Sequence, residues 1–300
     1  MKKIVDVERF WNSNPCESSP LFQNTNIDKT LAFQEIENIR YKNQSEIIKF
    51  ARFETFKGKK VLEIGCGVGT DGIQFARAGA DYTGIDLTNS AIEITSKRFK
   101  AFGQRGDIKK VNAEELPFTE ASFDHVYSFG VIHHSPAPKK IVDEIYRVLK
   151  PGGTATIMLY NKTSFYYQIE VKLIRKLFFY FCDKNKLCKI LFLPFKKERV
   201  KQFLFYKEKL KKYKETNPKP TAEEWCSMNT DDVFCPIAKV YSKTDAKKLF
   251  KDFSKFKTSV WFIDKNNWIL WIILKHFIPQ KLEIWLESKL GWFRMVEVTK

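Results

Sequence analysis

The chain has 300 residues, 44% hydrophobic and 29% charged, enough to bury a full core in one elaborated domain or two, and one is favoured. No apolar run of signal-peptide length follows Met1-Lys2-Lys3-Ile4, and no stretch reaches the roughly 18 apolar residues that span a bilayer, so a cytoplasmic protein is expected. Its six cysteines (Cys16, Cys66, Cys182, Cys188, Cys226, Cys235) form no Cys-x-x-Cys pair and have no His partners at zinc spacing; they read as free thiols, and no metal site is expected.

In chain order, Leu31, Phe33, Ile36, Ile39, Ile47, Ile48, Phe50 and Phe53 predict helices with apolar faces ahead of the first core strand. Val61-Leu62-Glu63-Ile64-Gly65-Cys66-Gly67-Val68-Gly69 then reads as a buried strand running into a glycine-rich turn. A dinucleotide site would carry its third glycine five residues after Gly65, where Thr70 stands, and Glu63 would repel a diphosphate. A carboxylate there suits a nucleoside bearing an ammonium or sulfonium charge. The next strand, 82–86, ends in Asp86, placed to face ribose; parallel strands joined by a helix bring Glu63, the glycines and Asp86 to one crevice.

The alternation continues. It predicts a helix over about 70–79, a second over about 89–101 capped by Asn89 or Ser90, strands over about 107–112 and 123–129, a helix over about 137–149 stopped by Pro151-Gly152-Gly153, and a strand over 153–160. Strands alternating with helices give a parallel sheet covered on both faces. After Tyr160 the pattern breaks. It resumes near Tyr241 with a helix from Ser242 to Phe253, a strand at about 255–263 and a last strand over 292–298.

On these residues, together with Val111-Asn112-Ala113-Glu114-Glu115-Leu116-Pro117-Phe118, Ser122-Phe123-Asp124 and Arg147-Val148-Leu149-Lys150-Pro151-Gly152-Gly153, the chain resembles class I S-adenosylmethionine-dependent methyltransferases over 58–160. The branch is that of ubiquinone and menaquinone biosynthesis. The resemblance implies an α/β fold: a Rossmann-like, seven-stranded, mostly parallel sheet with an antiparallel last strand, helices on both faces and helical insertions. It implies S-adenosylmethionine as cofactor. Glu63 and the backbone of Gly65, Cys66, Gly67 and Gly69 would hold the methionine end, Asp86 both ribose hydroxyls, Leu87 the adenine face, and Asn112 with Ala113 the adenine edge. Glu114 and Phe129 complete the expected set. Asp is usual where Asn112 stands, although an amide oxygen can still accept from the adenine amino group. Residues 1–57 would form a helical cap that brings Trp11, Arg40 or Tyr41 near the cofactor. Core residues 58–160 and 241–300 would be interrupted by insertions at 161–240 and about 268–290.

Charge is uneven. Residues 161–220 carry 17 Lys and Arg against 5 Asp and Glu, a balance of +12 out of +17 for the chain, interleaved with aromatics such as Phe165, Tyr166, Tyr167, Phe178 and Phe179. Such a segment suits an anionic membrane surface, a nucleic acid, or a helical cap with a solvated lysine face. The apolar run Trp268–Leu274 is too short to span a membrane and would lie against lipid or build an acceptor pocket with the first insertion.

Strand four leads into Val131-Ile132-His133-His134-Ser135-Pro136, which the topology puts beside the methyl group. Methyl transfer is an in-line displacement on an activated donor, so a base is needed only for an acceptor that must lose a proton; His133 or His134 is the candidate. The expected activity is O- or C-methylation of a small-molecule or lipid-like acceptor, with peripheral contact at the inner membrane face. Two alternatives stand: a tRNA wobble-uridine methyltransferase, whose family shares a similar His-His segment, and an inactive cofactor-binding interaction protein. The Pro-Pro motif of amino-directed nucleic-acid methyltransferases is missing here.

Overall fold

The computed structural model describes residues 3–15, 29–176, 219–231, 234–264 and 277–300, with isolated positions between 205 and 215. The Trp268–Leu274 run and most of the basic stretch lie outside the described residues.

Eight strands form one sheet: β1 (Lys60–Ile64), β2 (Asp81–Asp86), β3 (Asp107–Lys110), β4 (Phe123–Phe129), β5 (Leu149–Asn161), β6 (Val240–Tyr241), β7 (Lys255–Trp261) and β8 (Phe293–Thr299). Their order is β3-β2-β1-β4-β5-β8-β7, with β6 paired to β5 off this path. The expectation was seven; the addition is β6, whose two residues are too few to leave a period-two pattern. β8 runs antiparallel between β5 and β7, with Val296 opposite Ile157 on one side and Thr258 on the other.

Successive strand residues face opposite sides of the sheet and feed two cores. Val61, Tyr82 and Tyr127 join Ile73, Phe75, Ile47 and Phe53 on one face. Leu62, Ile85 and Val126 meet Ile141, Val142, Ile145 and Val148 on the other. Those last four come from one stripe of the helix Pro138–Val148, each contributing about 1.5–3 kcal/mol of apolar burial. Pro138 sits in its first turn, where a missing N–H is harmless. It stops at Val148, and β5 begins at once at Leu149; Pro151-Gly152-Gly153 is therefore a bulge within β5, where the pairing jumps from Phe123–Leu149 to His125–Thr154.

Helices α1 (Ile4–Ser13), α2 (Lys29–Asn43) and α3 (Glu46–Ala51) precede the sheet. Phe33, Ile36 and Ile47 are buried as expected, whereas Leu31, Ile39 and Ile48 face outward. Helix α4 (Gly72–Arg77) is shorter than expected. The cap of α5 (Asn89–Ala101) is Thr88, not Asn89 or Ser90: its Oγ1 accepts from the Ala91 amide at 3.3 Å. Labelling Pro138–Val148 as α6, α7 (Ala222–Thr230) and α8 (Lys243–Leu249) open with capping boxes, Thr221 with Glu224 and Ser242 with Asp245.

Within 161–240, a π-helical segment (Tyr166–Ile174) packs on α7, with Trp225 Nε1 donating to the Val171 carbonyl at 2.9 Å. Tyr166 also meets Trp292 edge-on, so this part of the insertion is continuous with the core. Helix α9 (Gln280–Leu290) lies on β7, where Glu287 accepts from the amides of Phe262 and Ile263. No helix among the described residues is long and apolar enough to cross a membrane.

Candidate active site

The chain proceeds outward from β1 through β2 to β3, then returns to the other side of β1 with β4 and β5. The carboxyl ends of β1 and β4 thus bracket the point where strand order reverses, the place where open α/β sheets form crevices. A cleft opens there with an empty volume of about 1100 Å³, including its mouth. Its walls are the turns after β1, β2, β3 and β4, and α1 roofs it with Ile4, Val7 and Trp11.

Gly65 begins the first turn at φ +78°, and a Cβ there would lie 2.1 Å from Val131 Cγ2. Only glycine permits this conformation together with so close an approach of the β1 and β4 loops. Gly72 serves the site differently: a Cβ on it would stand 2.3 Å from the Tyr82 hydroxyl. The space it leaves lets that hydroxyl donate to Glu63 Oε2 at 2.5 Å.

Two buried carboxylates lie near each other and are treated unequally. Asp71 accepts from Arg40 Nε at 3.0 Å and Nη2 at 2.6 Å, from Tyr41 at 2.9 Å and from Tyr127 at 2.9 Å. Glu63, 3% exposed, forms no ion pair among the described residues and keeps only the Tyr82 hydroxyl as a side-chain donor. Burial raises its carboxyl pKa well above the ordinary value, and the nearby charge of Asp71 pushes the same way. A cation from outside would reverse both effects. Burial likewise pushes the Tyr41 and Cys66 side chains up, leaving Cys66 an inert thiol.

Asp86 closes the far side. Its Oδ1 accepts from the Thr88 amide and hydroxyl, both at 2.9 Å, and its Oδ2 from the Gly67 amide at 3.1 Å. Desolvation raises its pKa while these donors oppose the shift. Asn112 Oδ1 accepts from the Glu114 amide at 3.0 Å, and Val111 N binds the Asp86 carbonyl, which fixes the β3 turn against the β2 turn.

Residues 62–157 match a family of proteins described as a methyltransferase domain. Over that stretch the chain is similar to a methyltransferase domain. A ubiquinone biosynthesis O-methyltransferase of Dechloromonas aromatica is 32% identical over 38% of this chain and 50% of its own length. A phthiotriol/phenolphthiotriol dimycocerosates methyltransferase of Mycobacterium tuberculosis is 39% identical over 32% of this chain and 36% of its own. The chain thus spans half or less of these curated relatives. Among solved structures, the magnesium protoporphyrin IX methyltransferase of Synechocystis PCC 6803, with bound SAH, covers 99% of this chain and all of its own at 12% identity and a TM-score of 0.53, a likeness of fold.

S-adenosylmethionine is the cofactor this methyltransferase domain implies, and the residues present fit it: an unpaired buried carboxylate for a cation, a glycine turn, and a second carboxylate one strand away. Of the expected cofactor residues, Glu63, Gly65, Cys66, Gly67, Asp86, Leu87, Asn112, Ala113 and Phe129 line the cleft. Gly69 and Glu114 do not. Gly69 supports the turn from below against Thr95, and the Glu114 carboxylate turns aside to accept from Ser135 Oγ at 2.6 Å. Arg40 and Trp11 line the cleft as well, whereas Tyr41 acts behind it through Asp71 and the Thr70 carbonyl.

The two histidines part company. His133 is fully buried, its ring 3.8 Å from that of Tyr160, and it does not line the cleft. Burial, reinforced by His134, holds its pKa well below the usual value. His134 does line the cleft, edge-on to Trp11 at 4.9 Å. Its Nδ1 lies 2.6 Å from the Ile237 carbonyl, which can only accept, so Nδ1 carries a proton, and Nε2 lies 3.7 Å from Asp231 Oδ2. Sequence reasoning missed Asp71, Asp231, Cys235 and Ile237. Arg40 and Tyr41 one position apart on α2 hinted at a buried acidic partner, but nothing local identified Asp71.

Proposed function

We propose that this protein transfers the methyl group of S-adenosylmethionine to an oxygen or carbon of an acceptor with apolar bulk. The observation that carries the reading is the buried Glu63, which forms no ion pair among the described residues, in one cleft with the glycine turn and Asp86. In that reading Glu63 takes the ammonium of the cofactor, backbone groups of Gly65 to Gly67 border its methionine end, Asp86 Oδ2 takes a ribose hydroxyl, and Leu87, Asn112 and Ala113 surround the adenine. Positioning and exclusion of water under α1 supply most of the acceleration.

Apolar lining by Val7, Trp11, Phe129 and Val131 supports an acceptor with hydrophobic surface. The names of the two matched relatives point the same way, one to ubiquinone biosynthesis and the other to phthiotriol dimycocerosates. The 161–240 insertion contributes the acceptor-side wall: Ile237 holds His134, while Lys239 donates through its amide to the His133 carbonyl and through Nζ to that of Pro136, both at 3.0 Å. Where the acceptor must lose a proton, His134 Nε2 takes it in this reading.

The test is incubation of separated lipid, metabolite and RNA fractions with methyl-labelled cofactor, comparing wild type with Asp86→Ala. Label is expected in the lipid or metabolite fraction and absent with the variant. Incorporation into RNA would overturn the acceptor class, and unchanged labelling with Asp86→Ala would overturn the cofactor assignment.

A further inference from the structure

His134, Asp231 and Cys235 each direct one ligand-type atom to a common point, all within 4.8 Å of one another. His134 comes from the loop after β4, and the other two from the end of α7 and the turn that follows. Nε2 to Asp231 Oδ2 is 3.7 Å, and Oδ2 to Cys235 Sγ is 4.0 Å. Around tetrahedral Zn²⁺, with bonds of about 2.0–2.2 Å to nitrogen and oxygen and about 2.3 Å to sulfur, these separations would be about 3.4 and 3.6 Å. The third pair is looser, with Sγ 3.9 Å from His134 Nδ1 and all three ligand atoms within 4.8 Å of one another, so binding a metal would draw Cys235 inward by up to about 1 Å.

The surroundings match those of a metal site. Ile237 accepts from His134 Nδ1–H and from Cys235 Sγ at 3.4 Å, while Asp231 accepts from Tyr160 on Oδ1 at 2.7 Å and from Thr230 Oγ1 on Oδ2 at 3.0 Å. Such outer partners orient metal ligands and set their basicity. Neutral imidazole, carboxylate and thiolate together carry two negative charges, which balance a divalent cation in a chain of net charge +17. His134 and Cys235 are 4% and 2% exposed, and a mixed nitrogen, oxygen and sulfur set favours zinc over magnesium or calcium.

We infer that His134, Asp231 and Cys235 bind Zn²⁺ beside the cleft, His134 being the ligand that also lines it. This rests on the methyltransferase reading and changes the role of His134 from base to ligand.

The test uses the full chain, stripped with chelator and titrated with Co²⁺ and then Zn²⁺. One equivalent of Co²⁺ should produce the near-ultraviolet thiolate charge-transfer band, and Zn²⁺ should displace it. Cys235→Ser should abolish the band, and Asp231→Asn should weaken Co²⁺ binding at least tenfold, while both variants bind S-adenosylhomocysteine like wild type by calorimetry. No band in wild type, or a band that persists in Cys235→Ser, overturns the site and leaves a hydrogen-bonded cluster. If Cys235→Ser does not fold, unaltered Co²⁺ affinity in Asp231→Asn overturns it equally. Loss of cofactor binding by wild type with an intact band would refute the methyltransferase reading and spare the metal site.

Discussion

Glu63→Gln isolates the charge of the cleft from its shape. The amide occupies the volume of the carboxylate and its oxygen can still accept from Tyr82, so the fold should survive. What disappears is a charge-assisted hydrogen bond to the ammonium of the cofactor. Glu63 is 3% exposed and Asp71 is already neutralised by Arg40, so solvent neither screens the interaction nor replaces it. Hydrogen bonds to charged groups contribute about 1.5–3 kcal/mol, which at 1.4 kcal/mol per decade is about a 10- to 150-fold rise in Kd. Calorimetric titration with S-adenosylhomocysteine, which retains the ammonium, measures it directly. A change below threefold in a folded variant would refute the assignment of Glu63 to the cation.

The raised pKa of Glu63 gives a pH signature of fixed sign. The protonated carboxyl is the form the empty site favours, so its stabilising contribution is full below about 4.5, the ordinary value, and is lost as pH rises through the raised one. Cofactor binding favours the ionised form, so affinity should rise over the same window with proton release, read by calorimetry in buffers of different ionisation enthalpy; flat affinity in wild type would oppose this. Gly65→Ala should lose cofactor binding at least tenfold, and Val131→Gly added to it should restore part of that loss, the residue being the roughly 1–2 kcal/mol of left-handed strain. Deleting residues 291–300 removes β8 from between β5 and β7 and should yield no folded protein by circular dichroism; a soluble, cofactor-binding product would contradict the topology.

The cofactor half of the cleft was legible because its parts lie close together in sequence: Glu63 and Asp86 stand at or next to the ends of two short apolar strands, and a single glycine turn follows β1. The acceptor half was not. His134 meets Asp231 and Cys235 only because β6 brings the chain back beside β5, a two-residue pairing with no periodicity to detect. Asp71 is a similar case: in sequence it is one polar residue at the start of α4, and its importance comes from Arg40, Tyr41 and Tyr127 on distant elements. The helix cap shifted by one position to Thr88 because capping needs an oxygen just before the first helical residue, and Thr88 is also the residue that holds Asp86.

The placement of β8 has a consequence for how the protein is made. β5 leaves the ribosome long before β8 does, and at about 5–20 residues per second the interval from residue 161 to residue 299 lasts roughly 7–28 s. Throughout that time the flank of β5 that β8 will pair, from Thr154 to Tyr160, waits uncovered by that strand, so its backbone groups there present an open edge to other nascent chains. The cofactor-side strands can assemble early, but the sheet closes only when its late-made strand slides between two that preceded it. Slow translation through 161–290 would therefore favour aggregation, and early chaperone contact at β5 would relieve it.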